Sequence, residues 1–374
     1  MTRILAINCG STSTKVAYFD DGAMIDKRSL DVPAAVLAET PLVLDQLEYR
    51  RAQVADFLHD HAIEPATLDM IVARAGCIHH VPKGGAYRVN DLMVATQKYA
   101  PPAQHASSLG SLIGVELAGG SGVPVIIYDP TPVDCVDPVA KITGIPEIAN
   151  LPVFHLLNPK AAGIEYAESI GKSYADLNLI IVQLGGGITM AFHDHGRVAD
   201  WIYDDEGPLS PQRAGRIPNR FLADFCYESG FDHAQLRVYL AAQSGLAAWF
   251  GTQDVRQVEA MIAAGDERAR LVYEAMALGV AKGIGELSVV RAGAVDQIIL
   301  TGGVAHSQLF TGRITELVEF IAPVTIIPGE REMEALAAGA ERVLAGLEPI
   351  QDYDVLPPGY SSYEEILARP STYA

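Results

Sequence analysis

The chain has 374 residues, with 49% hydrophobic and 20% charged side chains and a formal net charge of -19 at pH 7. That length exceeds one ordinary hydrophobic core, so two domains of about 150–200 residues each are expected. A surface this acidic repels phosphate backbones, which argues against nucleic acid as a partner and demands a local cationic site or a metal ion for any bound nucleotide.

Residues 4–8 (ILAIN) read as a short apolar strand running toward a glycine, and residues 15–19 (KVAYF) as a second strand. DDG at 20–22 is a hairpin signal, with a third strand over 24–30. The stretch NCGSTSTK, residues 8–15, therefore lies between two strands. A P-loop needs two glycines in GxxxxGK[ST] and a helix directly after it. Here Gly10 stands alone and a strand follows, so that reading fails on both counts. Residues 32–62 look helical, with Val54, Phe57 and Leu58 at helix spacing, and 70–77 (MIVARAGC) read as a buried strand. Residues 79–89 give a loop and a further strand. A helix over 104–120 ends at glycine, 124–134 is a strand entering a proline-broken loop, and a helix from 158 ends at Gly171.

At residue 177 the opening pattern recurs. LNLIIVQLGGGITMAFHDHGRVADW (177–201) has a strand, a glycine turn, a strand, the turn HDHG and a strand, the same order of parts as residues 4–26. We read this as an internal duplication, each domain starting with a three-strand meander. Residues 219–292 are mostly helical. QIILTGGVAHS (297–307) is a strand ending in paired glycines, PVTIIPGE (323–330) a strand into a turn, and 331–346 a helix ended by Gly346. The remaining tail, 351–374, is rich in proline and tyrosine and is expected to wrap a surface or lack order in part.

Cys9, Cys77, Cys135 and Cys226 form no CxxC pair, which fits free thiols in a reducing compartment. Arg3 precedes a strand-like run rather than a signal peptide, and no uncharged apolar run approaches the roughly 20 residues of a spanning helix. The cytoplasm is the expected compartment, with no membrane partner.

Three glycine-bearing strand ends stand out: NCGSTSTK, LGGGIT (184–189) and LTGGVAHS (300–307). Together with the duplicated meanders, they resemble the sugar kinase, Hsp70 and actin superfamily. Within it the chain is similar to the acetate and butyrate kinases, nearest to butyrate kinase. Further matching stretches are QHASSLG (104–110), KITGIPEI (141–148), FHLLNPKA (154–161), EGPLSPQRAG (206–215) and PGEREMEALA (328–337). The resemblance implies an α/β fold of two duplicated actin-like, ribonuclease H-like domains with a nucleotide cleft between them. Residues 1–150, joined by 340–374, would form one domain and 151–340 the other. It also implies reversible phosphoryl transfer between ATP and a short-chain carboxylate, giving acyl phosphate and ADP. Mg²⁺ would be the metal and a homo-oligomer, at least a dimer, the assembly.

Such chemistry needs alignment and charge neutralisation more than a strong base, because the attacking carboxylate is already ionised. The resemblance assigns Arg74 and Arg213 to the transferring group, the second completing the site on domain closure. Asn8 and the hydroxyls of Ser11, Thr12, Ser13 and Thr14 would face the phosphate and its metal, with Gly10 allowing close backbone approach. Lys15 starts an alternating strand and has no catalytic role in this reading. Glu332 is the expected Mg²⁺ carboxylate, directly or through water, with Glu330 as the alternative. Asp129 would orient the metal or Arg74, with Asp134 as the alternative, and His105 would lie near the phosphate. Gly185, Gly186, Gly187 and Thr189 would cradle the outer nucleotide phosphates, and Gly302 and Gly303 would pack against adenosine. Where relatives carry histidine before LGGG, this chain has Gln183, which donates a hydrogen bond but never carries charge. Cys9 is a second departure, and both are expected at the phosphate. They leave open a nucleotide- or acyl-phosphate-binding protein with little catalysis.

Overall fold

The computed structural model describes residues 2–40, 42–75 and 77–370. Its strands, in chain order, are β1 (Arg3–Cys9), β2 (Ser13–Asp20), β3 (Ala23–Asp31), β4 (Met70–Ala73), β5 (Ala86–Arg88) and β6 (Val125–Tyr128). They continue as β7 (Asn178–Leu184), β8 (Ile188–Asp194), β9 (Arg197–Ile202), β10 (Gln297–Gly302), β11 (Val324–Pro328) and β12 (Ile350–Asp352). The chain divides into two compact units, 1–134 with 331–374, and 135–330.

The first unit holds a seven-stranded sheet in the order β12-β5-β6-β4-β1-β2-β3. β1, β2 and β3 form an antiparallel meander, while β4 lies parallel to β1 and β6 parallel to β4. The period-two alternation of a strand sends successive side chains to opposite faces. Leu5, Ile7 and Cys9 join a core with Val54, Phe57 and Leu58 of the helix Leu47–Asp60 and with the helix Leu109–Ala118. Asn8 points the other way, toward the helix Glu332–Leu344.

The second unit holds a five-stranded sheet in the order β11-β10-β7-β8-β9. Its strands repeat the first unit's pattern: an antiparallel meander β7-β8-β9, then β10 parallel to β7 and β11 parallel to β10. Even the irregularities recur. Both meanders shift register in their second pairing, between Tyr18 and Phe19 and between Phe192 and His193. Both second hairpins turn on a left-handed pair, Asp21-Gly22 and His195-Gly196. The duplication read from sequence is thus present as a shared topology. The helix Glu267–Ser288 covers one face of this sheet, burying Met276, Val280 and Ile284 against Val182, Ile188 and Met190. The helix Leu157–Ser169 covers the other, near Leu179 and Ile181.

The units divide at 134/135 and 330/331, where the sequence reading set 150 and 340. Two local interactions account for the difference. The Asp137 amide donates to the Ala199 carbonyl beside β9, tying the segment after 134 to the second unit. The whole helix Glu332–Leu344 packs on the first sheet, where Tyr128 lies so close to Gly339 that any side chain there would strike its ring.

The strand expected over 70–77 stops at Ala73, and its expected stretch includes residue 76, outside the described residues. A helix, Asp91–Tyr99, capped by Asn90, occupies a stretch where the apolar pattern predicts no element. The tail is built into the first unit. β12 pairs with β5, Tyr353 is buried, and Ile366 of the helix Tyr363–Ala368 packs on Ala95 and Ala100. Residues 371–374 of that tail lie outside the described residues. Among the described residues no helix is long and apolar enough to cross a membrane.

Candidate active-site residues

In parallel α/β sheets, ligand groups gather beyond the carboxyl ends of the strands. In the first unit, Asn8, Arg74 and Asp129 stand at those ends on the adjacent strands β1, β4 and β6. The parallel ladder pairs Ile7 with Ala73, and the Arg74 amide donates to the Ile7 carbonyl at 2.9 Å. Asn8 and Arg74 are therefore neighbours. Glu332, the first residue of its helix, meets both: it forms an ion pair with Arg74 and accepts from Asn8 Nδ2 at 2.5 Å. The helix N-terminus favours a carboxylate in that turn. Three sequence-predicted residues thus form one cluster, with Arg74 and Glu332 side chains only 15% and 16% exposed. Glu330, the alternative, is exposed and belongs to the second unit.

Asp129 has left-handed backbone, with φ of +43°, and clasps Gly85: its Oδ1 accepts the Gly85 amide at 2.7 Å while its own amide donates to the Gly85 carbonyl. Asp134, its alternative, donates its amide to the Val81 carbonyl. His105 precedes a short helical turn, and its Nδ1 accepts from the Ser107 amide, which leaves the ring proton on Nε2. His105 is exposed at the surface, yet the surrounding chain removes enough hydration to lower its pKa below the ordinary histidine value, and the charge of Arg74 lowers it further. Both effects disfavour the imidazolium form of His105.

The loop after β1 is closed by Gly10, whose amide donates to the Ser13 carbonyl. Ser11 and Thr12 are exposed, Ser13 and Lys15 half-buried, and Thr14 fully buried, which removes its hydroxyl from the outward set. A side chain added at Gly10 would meet nothing nearer than 3.6 Å, so its glycine is not demanded by the chain's own packing. Cys9, expected at the phosphate, instead enters the core, and burial pushes its thiol up to about 11.

In the second unit, Thr189, Gln183 and Thr301 are register partners on β8, β7 and β10 and form a polar row. His155 Nδ1 lies 3.0 Å from Thr189 Oγ1. Asn158, in the first turn of its helix, directs Nδ2 to Gln183 Oε1 (2.8 Å), Thr301 Oγ1 (3.2 Å) and the Gly329 carbonyl (3.3 Å). The oxygen of Gln183 is therefore engaged inside the unit, and its amide hydrogens are the part left to donate.

The glycine turn 185–187 is stitched to the loop that carries Arg213. The Gly186 carbonyl accepts from Ser210 Oγ (2.6 Å) and from the Gln212 amide (2.9 Å), and Ser210 Oγ also accepts from the Arg213 amide. A side chain at Gly186 would strike Gln212, and one at Gly187 would strike Asp204. Arg213 Nε donates to buried Asp204 at 2.8 Å. Neither Nη nitrogen of Arg213 has a hydrogen-bond partner among the described residues. Asp204 thus holds one edge of the guanidinium and leaves the two-nitrogen edge for a planar anion. Gly302 has φ of +95°, and a side chain there would run into the Leu184 carbonyl, so its glycine serves the backbone. Gly303 faces open space.

Sequence reasoning passed over His155, Asn158 and Asp204. The first two lie in FHLLNPKA, one of the stretches that carry the resemblance. Among the described residues no group of three or more His, Cys, Asp or Glu is placed to hold a metal ion. One carboxylate with substrate oxygens and water is still an ordinary Mg²⁺ arrangement, and Glu332 with Asn8 fits it.

Residues 160–322, less than half of the chain, match the model of the Acetokinase family. Among solved structures, the acetate kinase of Porphyromonas gingivalis is similar at 16% identity and a TM-score of 0.74, over 92% of this chain and 100% of that one. The acetate kinase of Entamoeba histolytica gives 16% and 0.71, over 91% and 99%. A propionate kinase from Francisella tularensis gives 18% and 0.69, over 90% and 98%. At such identities the likeness establishes the fold: two duplicated actin-like α/β domains, as in acetate and propionate kinases.

Proposed function

We propose that this protein is a carboxylate kinase, transferring phosphate reversibly between ATP and a short-chain fatty acid of the butyrate type. The observation that carries the reading is Arg213, fixed by Asp204 through Nε with its Nη edge unpartnered among the described residues, in a loop stitched to a glycine turn. In the forward reaction a carboxylate oxygen attacks the γ-phosphorus of ATP, and the bond to the bridging oxygen breaks to release ADP. The carboxylate is ionised at neutral pH, so no base is needed. Arg213 and Arg74 take up charge on the transferring group, and neutral His105 donates from Nε2. The Gln183 amide donates in place of a cation. Glu332 and Asn8 would hold Mg²⁺ together with substrate oxygens, and the bound ion would supply charge neutralisation. The proposal includes a cytoplasmic homo-oligomer.

The test is a coupled assay with ATP and Mg²⁺ against acetate, propionate, butyrate and isobutyrate. Butyrate is expected to give the highest kcat/KM, with overlap among neighbours, since one methylene discriminates by only about 1–3 kcal/mol. Arg74→Ala and Arg213→Ala are each expected to lower kcat by about 10³ or more. An unchanged rate in either variant refutes its assignment.

A second reading is a nucleotide- or acyl-phosphate-binding protein with little catalysis. It is favoured by the uncharged Gln183, whose oxygen is held by Asn158. Calorimetric binding of magnesium nucleotide without turnover supports that reading, and Gln183→His then tests whether a ring donor restores transfer.

A further inference from the structure

Arg50 has no part in the chemistry above, yet it is fully buried on the helix Leu47–Asp60. Its Nη1 donates to the carbonyls of Gly10 and Ser13, both at 3.0 Å, and to Thr14 Oγ1 at 3.1 Å. Nη2 donates to the Ser11 carbonyl at 3.1 Å. Nη2 and Nε share Gln46 Oε1, at 2.8 and 3.1 Å. The carbonyl of Thr12 is taken by the Val32 amide. Four successive carbonyls of the loop are therefore occupied from within the protein. In a planar trans peptide the C=O and N–H point opposite ways. The amides of Ser11 and Thr12 accordingly turn outward, and both residues are exposed.

The charge of Arg50 is as informative as its geometry. A buried guanidinium ordinarily has a carboxylate beside it. Here every partner is a carbonyl, a hydroxyl or an amide oxygen, with the Cys9 thiol nearby and no carboxylate among the described residues. Arginine keeps its charge at any ordinary pH. An uncompensated cation therefore lies directly behind two outward amides, in a protein of net charge -19.

We propose that Arg50 is the positioning residue of the loop 10–14: it draws the loop's carbonyls inward and places its unpaired charge behind the amides of Ser11 and Thr12, where a phosphate group is the counter-ion. This rests on the reading of that loop as a phosphate seat. A purely structural cross-link would alter stability but not the salt dependence of anion binding.

The experiment titrates inorganic phosphate, followed by ³¹P NMR at two ionic strengths, into the unaltered protein, Arg50→Lys and Arg50→Gln. In Arg50→Gln the dissociation constant is expected to rise about tenfold or more and its salt dependence to flatten, because the charge is gone. Arg50→Lys keeps the charge and is expected to stay within about threefold. Equal affinity and salt dependence in a cooperatively melting Arg50→Gln overturns the proposal, as does failure of the unaltered protein to bind phosphate at millimolar concentration. Should Arg50→Gln not fold, Arg50→Lys decides: a larger loss than threefold overturns the proposal. Turnover is measured in parallel. Phosphate binding that follows Arg50 in a protein without turnover refutes the kinase reading alone. Turnover with butyrate, joined to phosphate binding indifferent to Arg50, refutes this inference alone.

Discussion

Replacing Asn158 by alanine is expected to be more disruptive than replacing the Gln183 it holds. Asn158 is 5% exposed, and its Nδ2 serves three acceptors at 2.8, 3.2 and 3.3 Å. Two hydrogens shared among three acceptors are worth about two net hydrogen bonds, near 1 kcal/mol each. Alanine removes both and takes this donor from the buried oxygens of Gln183 and Thr301 and from the half-buried Gly329 carbonyl, which adds about 1–2 kcal/mol. The expected loss in Asn158→Ala is about 3–4 kcal/mol. In Gln183→Leu, Asn158 keeps Thr301 and Gly329 as acceptors, and the loss is expected near 1 kcal/mol. The assay is urea unfolding followed by tryptophan fluorescence. Both tryptophans, Trp201 and Trp249, lie in the unit 135–330, so the signal reports that unit alone. The m-value should stay constant, as required for a change in stability rather than in exposed surface. A loss below 1 kcal/mol in Asn158→Ala, or one no larger than in Gln183→Leu, refutes the reasoning.

Three further outcomes are expected. His193 is fully buried beside Tyr174, and burial holds its pKa near 3, so the folded unit keeps it neutral while the unfolded chain protonates below about 6.5. Stability is therefore lost as pH falls from 6.5 toward 3, by at most about 1.4 kcal/mol per pH unit, and the same urea assay on His193→Phe should show a shallower acid slope. His105, lowered by lost hydration and by Arg74, should titrate closer to the ordinary histidine value in Arg74→Ala by NMR; an unmoved titration means Arg74 does not act on it. Gly302→Ala should destabilise by more than about 2 kcal/mol, because its backbone is left-handed and the Leu184 carbonyl blocks the methyl. Gly303→Ala should stay within about 0.5 kcal/mol yet raise the KM for ATP if adenosine packs there.

The repeated meander was legible because its signals are local: alternating apolar runs, a glycine turn and a tight second turn in each half. The seating of Asn8, Arg74 and Glu332 together followed from motif resemblance, since nothing in their wide separation along the chain requires it. What stayed hidden depends on non-local packing. β12 pairs with β5 across more than half of the chain, which no periodicity announces. Arg50 carried a faint signal, since it shares the helical phase of Val54, Phe57 and Leu58 and so lies on the buried stripe. Cys9 was readable too: alternation from Asn8 sends it to the opposite face, away from Glu332. Asn158 was obscured because its importance arises only when β7, β10 and the Gly329 turn converge on one helix end.

The division of the chain also orders its biosynthesis. Residues 135–330 are contiguous and carry their own sheet and core, so they can fold as soon as they leave the ribosome. The N-terminal 134 residues are made first but finished last. They await the helix Glu332–Leu344, which covers β1 and β4, and the strand β12, which extends the sheet beyond β5. Until Glu332 is translated, Arg74 and Asn8 lack the carboxylate that joins them. The earliest part of the polypeptide must therefore stay soluble through nearly the whole of translation, and a premature stop before residue 331 leaves a folded second unit tethered to an incomplete first one.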